Sequence, residues 1–183
     1  MANRKTKNTR TFDIIAAGVC LALCMVLPFV TGQIPKFGSM LCPMHIPVLI
    51  AGFVCGPWLA MLVGALAPIL RFFIFSMPPL MPVGLAMCLE LASYGLIAGL
   101  LYSQLPKRTV NIYVSLIIAM IIGRIVWGGS MMLIMGYMGA KFTYPMFMSA
   151  AFTNAIPGMI LHIVMIPAVV VALDKFNLIN KRR

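Results

Sequence analysis

The sequence predicts an all-α integral membrane protein of six transmembrane helices, with both termini in the cytoplasm. Two observations set the class: 62% of the 183 residues are hydrophobic and only 9% are charged, and apolar runs follow one another with short polar breaks between them. A soluble domain carries about a quarter charged residues, so lipid is the solvent that this composition calls for. At ~20 residues per helix to cross ~30 Å of hydrocarbon, the length holds six spans and short loops as one transmembrane domain over 1–183, with no soluble catalytic module.

The first span, 12–31, follows the basic residues Arg4, Lys5, Lys7 and Arg10. Its apolar run ends at Thr31-Gly32-Gln33 without a small-x-small cleavage site, which predicts a retained helix and not a removed signal. A loop with turn residues, Gly32 to Ser39, comes next. The stretch from Met40 to Phe75 is too long for one upright helix, and Gly56-Pro57 divides it, because proline lacks a backbone donor and disfavours helical geometry in the residue before it. The result is two short spans, 43–55 and 57–73. Pro78, Pro79 and Pro82 make Ser76 to Pro82 a stiff loop. The fourth span is 83–102, the fifth 110–135 and the sixth 146–173, with turns at 104–109 and 136–145.

Orientation follows from the lysines and arginines. Six spans place ten of the fourteen in the cytoplasm (Arg4, Lys5, Lys7, Arg10, Lys107, Arg108, Lys175, Lys181, Arg182, Arg183), against Lys36 and Lys141 outside. A single span over 40–75 would instead put the 104–109 turn and the tail outside, so the charge rule supports the division at Gly56-Pro57. The net charge of +11 lies beside apolar runs and forms no aromatic-interleaved stripe, which points to membrane lipid as its partner and not to nucleic acid. Cys20, Cys24, Cys42, Cys55 and Cys88 lack the spacing of a zinc site and read as small apolar residues. No metal and no cofactor are expected.

Arg71, Glu90 and Arg124, with His45 and His162, are the ionisable groups expected inside spans, where a charge costs ~2.5 to 3.5 kcal/mol and needs a partner, a cavity or a route to the interface. Arg71, Glu90, Arg124, Asn154 and His45 all fall in the outer half of the membrane, with His162 deeper. Glu90 and Tyr94 share a face at i,i+4, Arg124 and Trp127 at i,i+3, and Asn154, Gly158 and His162 form a stripe at steps of four. A few oriented polar groups in an apolar wall suit an outward-facing pocket for a small polar molecule. Two arginines against one glutamate leave a positive surplus that an anionic ligand would neutralise. Two arrangements compete with this one: Arg71 reaching to outer headgroups, and Glu90 with Arg124 as a structural pair. The pairing of Ser130 with His162 gives no sign of a nucleophile within reach of its base, so no enzyme is expected.

On the first helix, Ala17, Gly18 and Ala22 include a small-xxx-small spacing, which allows close approach of another helix, either within the bundle or from a partner subunit.

The six short spans, the basic N-terminus and four runs carry a family resemblance. The runs are Met44-His45-Ile46-Pro47-Val48-Leu49-Ile50-Ala51-Gly52, Gly64-Ala65-Leu66-Ala67-Pro68-Ile69-Leu70-Arg71, Met77-Pro78-Pro79-Leu80 and Glu90-Leu91-Ala92-Ser93-Tyr94-Gly95-Leu96. Together they resemble the substrate-binding S components of energy-coupling factor (ECF) vitamin transporters, most of all the pantothenate-type subgroup. The resemblance implies a subunit of the bacterial cell membrane that binds a vitamin near the extracellular face, under loops similar to Gly32–Leu41 and Ser76–Pro82. It also implies partners, a transmembrane coupling subunit and two cytoplasmic ATPases, docked through the first helix, where Gly18 departs from an alanine-rich motif. No GxxxxGK[ST] run is present, as suits a subunit that leaves ATP to its partners. Substrate-binding residues implied in this way are Arg71, Glu90, Tyr94, Arg124, Trp127, Asn154 and His45, with pantothenate or a similar carboxylate as ligand. The alternatives are riboflavin, which would lean on Trp127, Tyr94 and the phenylalanines around Phe72, or a stand-alone secondary transporter.

Overall fold

A computed structural model describes residues 2–32, 41–140, 143–149, 155–176 and 179. Every regular element among them is helical. The helices are α1 (Ala2–Gly32), α2 (His45–Val54), α3 (Pro57–Phe75), α4 (Leu85–Gln104), α5 (Thr109–Tyr137), the short α6 (Tyr144–Met148) and α7 (Ile156–Lys175). Five are long and apolar enough to cross a membrane: α1 through its Arg10–Phe29 segment, α3, α4 with the turn before it, α5 and α7. The expected second span corresponds to α2, whose ten residues rise ~15 Å, about half the hydrocarbon thickness.

Local chemistry sets these boundaries. The His45 N–H bonds the Cys42 carbonyl at 3.0 Å and opens α2, and Pro47 falls in its first turn, where a missing N–H costs nothing. Gly56 at φ 88 lets the chain turn out of α2, and Pro57 occupies the first turn of α3, so the division expected at Gly56-Pro57 is present. Ser76, in the left-handed region, closes α3. The proline-rich segment after it is extended at Met81 and re-enters through a wide π-type turn, Leu80–Gly84, so regular α4 begins at Leu85, two residues later than expected. The largest difference is at the last span. Within the expected 146–173 span, the described residues are helical in α6 and again from Ile156 in α7, and 150–154 lie outside the described residues. Pro157 lies in the first turn of α7, where proline starts a helix more readily than it continues one.

The core is built from small residues. A Cβ at Gly64 would lie 2.3 Å from the Leu91 carbonyl oxygen, one at Gly95 2.5 Å from that of Ala60, and one at Gly99 2.6 Å from the Pro57 Cα. The backbones of α3 and α4 therefore touch along a seam that side chains would hold apart. α2 lies between α1, α3, α4 and α7, and eight of its ten residues are buried. The outward faces carry Ile14, Val19, Val26, Ile117, Ile121, Ile125 and Leu133, an apolar exterior that only lipid can solvate.

The described charges outside the core gather at one end. Asp13, Lys107, Arg108, Asp174 and Lys175 line two neighbouring cavities formed by the start of α1, the α2–α3 and α4–α5 turns and the end of α7. Arg71 stands at the opposite end. Lys36, Lys141, Lys181, Arg182 and Arg183 lie outside the described residues.

Gly64→Ala and Gly95→Ala should each lower stability by about 1–3 kcal/mol or more, since backbone and not a flexible side chain blocks the new methyl. Gly129→Ala, with nothing within 4 Å of the added atom, should leave the melting temperature in detergent unchanged or slightly raised.

Candidate functional site

Glu90 on α4 is the centre of a buried polar cluster. It is 1% exposed, and three groups face its carboxylate. Arg124 on α5 brings Nη1 to 3.1 Å from Oε1. Tyr94, one turn along α4, donates its hydroxyl to Oε1 at 3.0 Å. His45, the first residue of α2, sets Nε2 3.5 Å from Oε2. The imidazole of His45 stacks on that of His162 from α7, with centroids 5.9 Å apart and planes at 20°, and meets the Tyr94 ring at 5.2 Å. Four helices thus contribute to one constellation.

The sequence makes room for it. A Cβ at Gly123 would come 2.2 Å from Tyr94 Cε1, so a glycine beside Arg124 is what lets the tyrosine ring lie on α5 while its hydroxyl reaches Glu90. Next to the cluster, Ala86 of α4 meets Trp127 and Met131 of α5, and Phe147 of α6 packs against the same group with its ring over Gly128. This apolar cover helps keep Arg124 at 6% exposure.

The cluster leaves donors unused. Arg124 Nη2 reaches the Cys42 sulfur at 3.7 Å, and among the described residues Arg124 Nε, His45 Nδ1 and His162 Nε2 find no hydrogen-bond partner. A carboxylate inside a membrane bundle needs a counter-charge and hydrogen bonds, and Glu90 has both. The nitrogens so left come from three helices, α2, α5 and α7.

Of the residues singled out from the sequence, His45, Glu90, Tyr94 and Arg124 come together, and Trp127 lies on the next turn of α5 among apolar neighbours. Arg71 does not join them. Its Nη1 donates to the Met25 carbonyl at 3.2 Å, and its guanidinium lies 5.4 Å from the Phe29 ring centre and 5.7 Å from that of Phe75, two rings in edge contact at 4.6 Å. It fastens the last turns of α1, which carry Pro28 within the helix, to the end of α3. The expected surplus of two arginines over one glutamate is therefore not gathered in one place, since a single arginine faces Glu90. Asn154 lies outside the described residues, as do 33–40 of the first expected loop. On α1, Gly18 and Ala22 are exposed, and a Cβ at Gly18 meets nothing within 4 Å. Ala17 departs from the expected shared face: it is 7% exposed and turns inward with Asp13, Cys20 and Cys24.

Two residues of the cluster stand otherwise than expected, and a third buried polar residue, Asp13, lies apart from it. Cys42 was grouped with the apolar cysteines, yet it accepts from Arg124. His162 was placed deeper, yet it stands level with His45. Asp13, 2% exposed inside the first span, lines a cavity of about 110 Å³ with Tyr102, Ser103 and Lys107. Its signal was available, since 13, 17, 20 and 24 mark one helical face. Ser130 Oγ donates to the Val126 carbonyl at 2.7 Å and is committed to its own helix.

The family model described as ECF transporter, substrate-specific component, matches residues 12–173, nearly the whole chain. The chain belongs to this family. No curated protein and no solved structure matches it. As an ECF substrate-specific component it is a substrate-binding subunit of a transporter.

Glu90→Ala should cost about 3–5 kcal/mol of stability, because it leaves Arg124 buried without its counter-charge. Replacing both Glu90 and Arg124 by methionine should recover most of that loss, while Tyr94→Phe should cost only about 1 kcal/mol. Melting curves of the four proteins measure these losses.

Proposed function

We propose that the protein is the substrate-capturing subunit of an ATP-driven ECF importer, and that it binds a carboxylate-bearing vitamin, pantothenate by preference, at the Glu90–Arg124 cluster near the extracellular face. One observation carries the substrate class. Arg124 gives Nη1 to Glu90 and leaves the Nε–Nη2 edge without a strong acceptor. Two parallel N–H groups on one guanidinium edge match a carboxylate. His45 and His162 stand beside that edge with nitrogens suited to hydroxyl and amide oxygens, which pantothenate also carries.

The flatter, uncharged riboflavin would call on open aromatic faces. Tyr94 already lies on Gly123 and is tied to Glu90, and Trp127 is packed against Ala86 and Met131, so the site is better furnished for an acid than for a stacked ring.

For the partners, the reading assigns the exposed Gly18 and Ala22 face of α1 to docking on a transmembrane coupling subunit that carries two cytoplasmic ATPases, with the basic end of the bundle on the cytoplasmic side. The absence of side-chain bulk at Gly18 gives a second helix close access.

A panel of vitamins tested by thermal stabilisation of the purified protein decides the substrate, since a ligand at 100 times its dissociation constant adds ~2.7 kcal/mol. Pantothenate should stabilise, and Arg124→Ala should weaken its binding by roughly 2 kcal/mol or more while a neutral analogue loses little. Equal losses for acid and neutral analogue would remove the carboxylate assignment. Gly18→Leu should abolish assembly with the coupling subunit and leave vitamin binding intact. Uptake by the protein alone, without any ATPase, would instead favour a stand-alone secondary transporter.

A further inference from the structure

The Arg124 guanidinium is divided between two acceptors of unequal strength. Nη1 faces the Glu90 carboxylate at 3.1 Å, whereas Nη2 reaches only the Cys42 thiol at 3.7 Å, and Nε has no partner although the residue is 6% exposed. A thiol sulfur is a weak acceptor, and leaving a buried guanidinium edge to it is unfavourable. His45 and His162, each 2% exposed, add two further nitrogens without a partner.

Cys42 is itself held in an uncommon backbone state. Its φ of 45 lies in the left-handed region that residues other than glycine, asparagine and aspartate rarely adopt, and its carbonyl accepts the N–H that opens α2. It is partly exposed, while Arg124, His45 and His162 are buried. The thiol thus lies beside Arg124 Nη2, on a residue that is itself partly exposed.

We infer that Cys42 is a stand-in ligand for Arg124: its thiol stands at the Nη2 end of the Nε–Nη2 edge and is displaced when an anionic oxygen group takes that edge. The inference rests on the binding reading above and adds a specificity-determining residue to it, one that governs access to Arg124 without contacting the bound solute. A group able to displace the thiol must be a better acceptor than sulfur and must match two parallel N–H donors. Carboxylates and sulfonates meet both conditions, and neutral hydroxyls do not.

Methanethiosulfonate reagents test this without any vitamin. The Cys42 thiolate displaces methanesulfinate and carries the reagent's arm as a mixed disulfide. An anionic 2-sulfonatoethyl arm should reach Arg124, raise the melting temperature and abolish further stabilisation by pantothenate. A cationic 2-(trimethylammonio)ethyl arm of similar length should lower the melting temperature. Both shifts should vanish in Cys42→Ala. Equal shifts from the two arms, or failure of either reagent to label Cys42, would overturn the inference. A second measurement uses Cys42→Ala with pantothenate. Its affinity should be at least that of the native protein, because no ligand contact is lost, and a weakening of about tenfold would show that the thiol belongs to the bound state instead. If pantothenate fails to stabilise the native protein, the vitamin reading falls, and the two arms still decide the relation of Cys42 to Arg124.

Discussion

Everything in this bundle is arranged around one requirement, that a carboxylate and a guanidinium be held together where the surrounding solvent is hydrocarbon. Glu90 and Arg124 come from neighbouring helices, and each would be intolerable without the other. Their meeting fixes the rotation of α4 and α5 about their axes. Tyr94 then takes the side of α4 that faces Gly123, and the small residues of α4 fall on the side that meets α3. The glycine seam and the ion pair are two expressions of one geometry: α4 is smooth where it touches α3 and polar where it touches α5.

A second level of organisation separates the bundle by height. The described charges outside the core collect at one end, around Lys107 and Asp174, while Arg71 ties α1 to α3 at the other. Arg71 resolves its own charge locally, through the Met25 carbonyl and two aromatic faces. It needs no acid, and so stands apart from the Glu90 group.

The helical class, the division at Gly56-Pro57 and the convergence of His45, Glu90, Tyr94 and Arg124 could be read from the sequence, because each rests on a local rule. Proline and glycine set boundaries, and ionisable residues in apolar runs must find partners. What could not be read depends on packing between segments distant in the chain. Nothing local distinguishes Arg71, which finds Phe29 and Phe75, from Arg124, which finds Glu90. Cys42 looked like its four companions until the start of α2 brought it to the guanidinium. Asp13 was overlooked for a different reason: it sits at the edge of a span, where an acid is easily read as interfacial, although its helical face is the buried one.

The brevity of α2 has an electrostatic side. A helix that crosses the whole membrane ends in headgroups and water, where the partial charges of its termini are screened. The first turn of α2, at His45, lies instead beside Glu90 and Arg124, within a cluster that is nearly free of solvent. Aligned peptide dipoles place roughly half a positive charge at such a terminus. That charge belongs to the backbone, so no proton exchange can remove it. It faces the Glu90 carboxylate from the side of α2, as Arg124 does from α5, and so adds a fixed contribution to the surroundings that hold a buried acid.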